Sequence, residues 1–189
     1  VLHVIQGIIL VFIEMKMESA SMSEFIDLYD KERKFLNRVV DRTTYLFQPG
    51  EFMMYVLAVL ENQDGKYLVT QRALNKKWAA GHWEMPGGGA KSKESSLNAI
   101  KREVKEETNL DVKNGRVVYS YFNEDNDRHD NYFVDIYHFK FDFKLSDVVL
   151  NTNESIDCKC VTLDELVLMN EKQSFLHYER IMKALQQEK

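Results

Sequence analysis

The stretch from Trp83 to Leu110 reads W-E-M-P-G-G-G-A-K-S-K-E-S-S-L-N-A-I-K-R-E-V-K-E-E-T-N-L. Gly87, Gly88 and Gly89 follow Pro86 and predict a loop whose backbone can approach a ligand closely, because no Cβ intervenes. Beyond it, Leu97, Ile100 and Val104 stand at i, i+3 and i+7, so Glu94 to Thr108 is expected to be a helix with one apolar stripe. Ser92 is the expected N-cap. The backbone N–H groups of such a loop-to-helix junction suit a phosphate. Asn109 is expected to end the helix, since Asn readily takes the left-handed conformation there.

Glu103, Glu106 and Glu107 share the last turns of this helix at i, i+3 and i+4, within about 100° of one face and beside the apolar stripe. Like charges so spaced repel by a few tenths of a kcal/mol per pair. The macrodipole disfavours anions in the last turn by roughly 0.3–1 kcal/mol each. Two readings explain the pattern. One is a solvated acidic helix end, with Arg102 pairing to Glu106. The other is a divalent cation that collects these oxygens together with substrate phosphate, as Mg²⁺ prefers.

Outward from the helix, the pattern is mixed α and β. Phe25 to Tyr29, Met53 to Leu60, Lys66 to Arg72, Arg116 to Phe122, Tyr132 to Phe143 and Asp157 to Val161 read as strands. Met53 to Leu60 is almost wholly apolar, as expected of a strand covered on both faces. Asp30 to Arg33 and Asp64-Gly65 read as turns, and Glu124 to Asp130 as a hairpin loop that includes a solvated His129. Leu163 to Gln187 should hold one or two helices. Strands on either side of a central helix, then helices at the end, predict an α/β fold with a mixed sheet covered on both sides.

Composition narrows the function. A formal net charge of -5 with no long basic run argues against a long nucleic-acid partner. A small anionic substrate accompanied by a cation remains compatible. Cys158 and Cys160 are too few for a disulfide framework and fit a reducing cytoplasm; their spacing puts both on one strand face, as packing groups. Val1 to Ile13 is apolar but too short for a membrane span, and it lacks the flanks of a secretory signal. Residues 1–23 are therefore expected to be an extension, and 24–189 the domain.

The segment Gly88 to Leu110 resembles the Nudix hydrolase signature, G-x5-E-x7-R-E-U-x-E-E-x-G-U, where U is a bulky aliphatic residue. Gly88, Glu94, Arg102, Glu103, Val104, Glu106, Glu107 and Leu110 fall in register, and only Asn109 departs, standing for Gly. The strand Leu68 to Arg72, the approach Gly81 to Glu84 and the run Asn153 to Leu166 are similar to the family too. F-I-D-L-Y-D at residues 25–30, Arg42 and Gly50-Glu51-Phe52 resemble the branch that also contains isopentenyl-diphosphate isomerases. The isomerases carry their cysteine before the signature, however, and both cysteines here follow it.

The resemblance implies an α/β/α sandwich that hydrolyses a nucleoside diphosphate derivative, with Mg²⁺ or alternatively Mn²⁺ as cofactor. Glu106, Glu107 and the Gly87 carbonyl would hold the metal. Glu103 would be a ligand or the base acting on water, Arg102 would hold Glu103 in place, and Glu94 would support them. Gly88 and Arg72 would meet substrate. Glu154 or Asp157 would add a carboxylate from a later loop, whereas Trp83 is read as core packing. A homodimer is common in the family, and a non-catalytic binding module is the remaining alternative.

Overall fold

In a computed structural model, residues 23–187 are described, so the expected extension falls outside them apart from Ser23. Among the described residues, nine strands and three helices follow in order. They are β1 (Phe25–Tyr29), β2 (Phe35–Asp41), β3 (Met53–Glu61), β4 (Tyr67–Arg72), β5 (Trp83–Glu84), β6 (Gly87–Gly89), α1 (Ser96–Thr108), β7 (Arg116–Asn123), β8 (Tyr132–Lys140), β9 (Ser155–Val161), α2 (Leu163–Glu171) and α3 (Tyr178–Gln186).

β3 is the axis of the sheet. It pairs in parallel with β8 along its whole length, from Met53↔Tyr132 to Glu61↔Lys140, and antiparallel with β6. β3 and β4 share only the Glu61↔Tyr67 register at their hairpin, where Gly65 takes φ 70°. β4 then pairs with β5 and β9, and β7 pairs with β8. The sheet is therefore mixed.

The apolar run of β3 serves both faces, as its composition predicts. Val56, Ala58 and Leu60 pack with Ile100 and Val104 of α1 on one side. Val59 packs with Leu166, Ile181 and Ala184 of α2 and α3 on the other. This is the expected α/β/α sandwich. Cys158 and Cys160 are free, and both pack against the α1-side core. No described helix is long and apolar enough to cross a membrane.

Three expectations need correction. β8 stops at Lys140 rather than Phe143, because its partner β3 ends at Glu61 and leaves nothing to pair with. β2 has no counterpart in the sequence reading: F-L-N-R-V-V-D does not alternate, and Asn37 interrupts it at φ 54°. With β1 it makes a separate small sheet, whose Ile26 and Leu28 pack on Phe47 and Met53. Finally, His129 is not merely solvated, since its ring N–H donates to the Phe47 carbonyl at 2.7 Å.

Candidate active site

The three glycines form a strand, not a loop. Ala58 N–H donates to the Pro86 carbonyl and Ala90 N–H to that of Met54. By the alternation of an antiparallel ladder, Gly87 and Gly89 turn their backbone groups away from β3. The Gly89 carbonyl accepts from Arg102 Nη2 at 2.9 Å, and the Gly87 N–H faces the Glu107 carboxylate. The glycines are needed for close approach by the protein's own atoms. A Cβ on Gly87 would lie 2.2 Å from the Val56 carbonyl oxygen, and one on Gly88 would lie 2.5 Å from the Glu103 carboxylate carbon.

α1 begins later than expected. Ser95, not Ser92, is the N-cap, accepting from Asn98 N–H at 3.2 Å. Ser92 instead donates to Asp27 on β1 at 2.7 Å, and Lys93 N–H donates to the same carboxylate at 3.0 Å. The loop before the helix is thereby tied to the small sheet, and the glycines are separated from the helix N-terminus. Asn109 ends the helix as expected, at φ 60°.

Arg102 organises the carboxylates. Its Nη1 donates to Glu103 Oε1 at 2.7 Å and to Glu106 Oε2 at 3.0 Å. Its Nε and Nη2 both reach Glu94 at 2.9 Å. Burial opposes the Arg102 charge, but Glu94 and Glu103 outweigh it and keep the guanidinium protonated. Burial also opposes ionisation of Glu94, yet the Arg102 and Lys91 hydrogen bonds prevail and lower its pKa. At Glu103 burial prevails over Arg102 and raises the pKa. Arg102 is thus hydrogen-bonded to Glu103. The Arg102–Glu106 pair of the solvated reading is present as well.

Glu107 differs from its neighbours. It is 8% exposed, and no Lys or Arg pairs with it among the described residues. Burial, then the charges of Glu84, Glu103 and Glu154, push its pKa well above the carboxylate range, against the Gly87 N–H. Glu106 stands half exposed at the rim, with Lys91 and Arg102 beside it.

These groups line one cleft of about 1450 Å³ that also contains Arg72, Lys76, Trp78, Glu84, Glu154 and His177. Arg72 donates to Glu84 at 2.8 Å, and Lys76 pairs with Glu154. Arg72 therefore faces the cleft but is already engaged by a carboxylate. Of the two later carboxylates, Glu154 reaches the cleft. Asp157 is exposed on β9 and accepts from the Cys158 N–H. Trp83 packs on the α2/α3 core with Lys159 over its ring. Glu84, Lys76 and Asn151 belong to the cleft without any spacing that would single them out in the sequence.

Among the described residues, no three acidic, His or Cys groups are gathered closely enough to hold a metal as they stand. In kind, the donors fit a hard cation. They are carboxylate oxygens with a backbone carbonyl close by, and Glu107 is a buried acid pressed by three others.

The NUDIX domain model matches residues 51–184, which leaves β1 and β2 outside the match. An uncharacterized Nudix hydrolase of Listeria innocua is 31% identical over 149 residues, 75% of this chain and 85% of its own. The CTP pyrophosphohydrolase of Escherichia coli is 36% identical over 72 residues, covering 38% of this chain and 53% of its own. A Deinococcus radiodurans crystal structure, DR0079, superposes with TM-score 0.65 at 20% identity, covering 80% of this chain and 91% of that one. With a signature held by Arg102, a matching domain model and that likeness, the chain belongs to the Nudix hydrolase family, whose members are enzymes.

Proposed function

We propose that this enzyme is a divalent-metal-dependent pyrophosphohydrolase that cleaves a diphosphate linkage in a nucleoside diphosphate derivative. The observation that carries this reading is Glu107, a buried acid facing three further carboxylates, with cations placed around it on Arg72, Lys76 and Arg102. An acidic floor with basic walls suits a polyanionic substrate accompanied by a metal, Mg²⁺ or Mn²⁺. Glu103, Glu106, Glu107 and the Gly87 carbonyl are the groups to hold it. When bound, a divalent cation supplies charge neutralisation at phosphate and a lower pKa for the attacking water.

The chain's own residues do the rest. Arg102 fixes Glu103 through Oε1 at 2.7 Å and leaves Oε2 to accept the water proton. The water oxygen bonds to phosphorus as the bridging P–O bond breaks, and the leaving phosphate takes the electron pair. Arg72, once released from Glu84, would meet the phosphate oxygens beside Gly88. The substrate is a small molecule, and the reading calls on neither a nucleic-acid backbone nor a membrane. The free thiols suit a reducing compartment such as the cytoplasm.

The test is phosphate release with Mg²⁺ over nucleoside di- and triphosphates, dinucleoside polyphosphates and nucleotide sugars. At least one should be hydrolysed, EDTA should abolish the reaction, and Glu107→Gln should reduce it by about 10²-fold. Turnover that persists in EDTA, or full activity in Glu107→Gln, overturns the assignment.

A further inference from the structure

The small sheet of β1 and β2 lies outside the matched domain, yet it meets the signature segment at two places. The first is Arg42, directly after β2. Its Nη1 donates to Glu24 at 3.0 Å and its Nη2 to the Tyr55 hydroxyl at 2.7 Å, with the guanidinium over the Tyr55 ring. Tyr55 is the register partner of Gly89, and the guanidinium is thereby laid against that glycine. A Cβ on Gly89 would lie 2.8 Å from Arg42 Nη1. The missing side chain at Gly89 is therefore clearance for a residue that comes from outside the matched domain.

The second is Asp27 on β1. Its two carboxylate oxygens accept from the Ser92 hydroxyl at 2.7 Å and the Lys93 N–H at 3.0 Å, and the Phe25 carbonyl accepts from Ser92 N–H at 2.8 Å. Lys93 stands at φ 66°, a conformation that a side chain of its kind seldom takes unless its surroundings hold it there. The small sheet is itself fastened to the main one, since Tyr29 and Phe52 exchange backbone hydrogen bonds of 2.9 Å. These contacts fall between the anchors of Arg102. The Gly89 carbonyl accepts from Arg102 Nη2, and the Glu94 carboxylate accepts from its Nε and Nη2. The small sheet grips the intervening chain near both ends, at Gly89 and at Ser92 with Lys93.

We propose that the small sheet is a brace on which the reaction depends, with Arg42 and Asp27 as positioning residues that fix the chain from Gly89 to Glu94 and, through it, Arg102 and Glu103. The inference rests on the functional reading above and adds to it a part of the chain outside the matched domain. Arg42 acts through Gly89 and not on substrate, because Glu24 already answers its charge and Tyr55 its second prong. The lever is short. Gly89 and Glu94 orient the guanidinium that donates to Glu103 at 2.7 Å, and a shift of about 1 Å in a catalytic group costs on the order of 10²-fold in rate.

Two measurements test the brace, one with substrate and one without. On a compound of the screen above that is hydrolysed, Arg42→Met and Asp27→Ala should each lower kcat by about 10- to 100-fold with KM nearly unchanged. Asp27→Asn keeps an acceptor and should retain more activity than Asp27→Ala. Ser92→Ala removes the same bond from the loop side and should lower kcat in the same way, which serves if Asp27→Ala does not fold. Arg38→Met is the control: it breaks the pair with Glu51 on the same small sheet, outside the cleft, and should leave kcat unchanged. In the metal-free protein without substrate, prepared with isotope-labelled arginine, the Arg102 Nε–H should exchange with water faster in Arg42→Met and Asp27→Ala than in the wild type or Arg38→Met, because its hold on Glu94 loosens. A loss confined to KM would make Arg42 a substrate contact and overturn the inference. Full kcat in Arg42→Met and Asp27→Ala, an equal loss in Arg38→Met, or unchanged exchange at Arg102 would do so too. Should the wild type hydrolyse none of the compounds, the pyrophosphohydrolase reading fails, and exchange at Arg102 alone decides the brace.

Discussion

Glu107 carries its carboxyl to a place that opposes ionisation, and this has a consequence for stability. Its folded pKa lies above the unfolded value, because burial and the charges of Glu84, Glu103 and Glu154 disfavour the anion. The native state therefore holds the proton more tightly. Its contribution is fully present below the ordinary carboxylate pKa and is lost as pH rises through the folded value. Metal-free Glu107→Gln should be more stable than the wild type near pH 7, and the difference should vanish on acidification. Urea titrations in EDTA between pH 5 and 8 would show this; a difference independent of pH contradicts it. Gly87 and Gly88 make a second pair of expectations. Gly87→Ala sets a methyl against the backbone of Val56 and Leu57, which cannot swing away, and should cost about 1–3 kcal/mol or more. Gly88→Ala meets the Glu103 carboxylate first, the end of a side chain, so activity should fall while the thermal midpoint changes less. Sequence alone marks these positions as special. It does not tell a glycine cleared for a ligand from one cleared for a neighbouring strand and side chain.

The start of α1 shows what local pattern leaves open. Ser92, Ser95 and Ser96 are all competent caps, and the choice is made by Asp27, 65 residues earlier in the chain, which takes Ser92 and turns the loop. Lys93 at φ 66° then breaks any helix begun at Ser92. Ser95→Ala should cost about 1 kcal/mol by loss of the cap. Ser92→Ala should leave the helix content unchanged and loosen the contact with β1. Circular dichroism with chemical denaturation separates the two, and helix loss in Ser92→Ala alone would reverse the assignment. The strands that were legible are those with a continuous or alternating apolar pattern, such as β3 and β8. β2 was not, because its outward residues face solvent and its turn of backbone at Asn37 falls where the pairing with β1 shifts register between Asp27 and Tyr29. The carboxylate spacing on α1 was legible because i, i+3 and i+4 are local. The roles of Glu84 and Lys76 were not, and Glu154 could not be told from Asp157, because these residues come from separate segments that meet only when β4 pairs with β5 and β9.

In the whole molecule, the cleft joins segments from nearly every part of the chain, and occupation of its acidic end should be felt globally. A cation that binds only the native state stabilises it by about 2.7 kcal/mol at one hundred times its Kd. Adding Mg²⁺ should raise the denaturation midpoint of the wild type, and Glu107→Gln should gain less. An equal gain in both would mean that the ion binds elsewhere. The parallel pairing of β3 with β8 bears on how the protein comes to exist at all. The partners Glu61 and Lys140 are 79 residues apart, and the signature helix lies inside the loop that they close. At about 5–20 residues per second, a ribosome takes on the order of ten seconds to deliver β8 after β3. Through that interval the most apolar of the described strands waits without its longest partner, and such distant pairings form slowly even when both halves are present. The nascent chain is thus exposed to aggregation at β3 and is a candidate for chaperone capture. Charged residues set close to that strand, Glu51 before it and Glu61 at its end, are where the chain can guard it until the sheet closes.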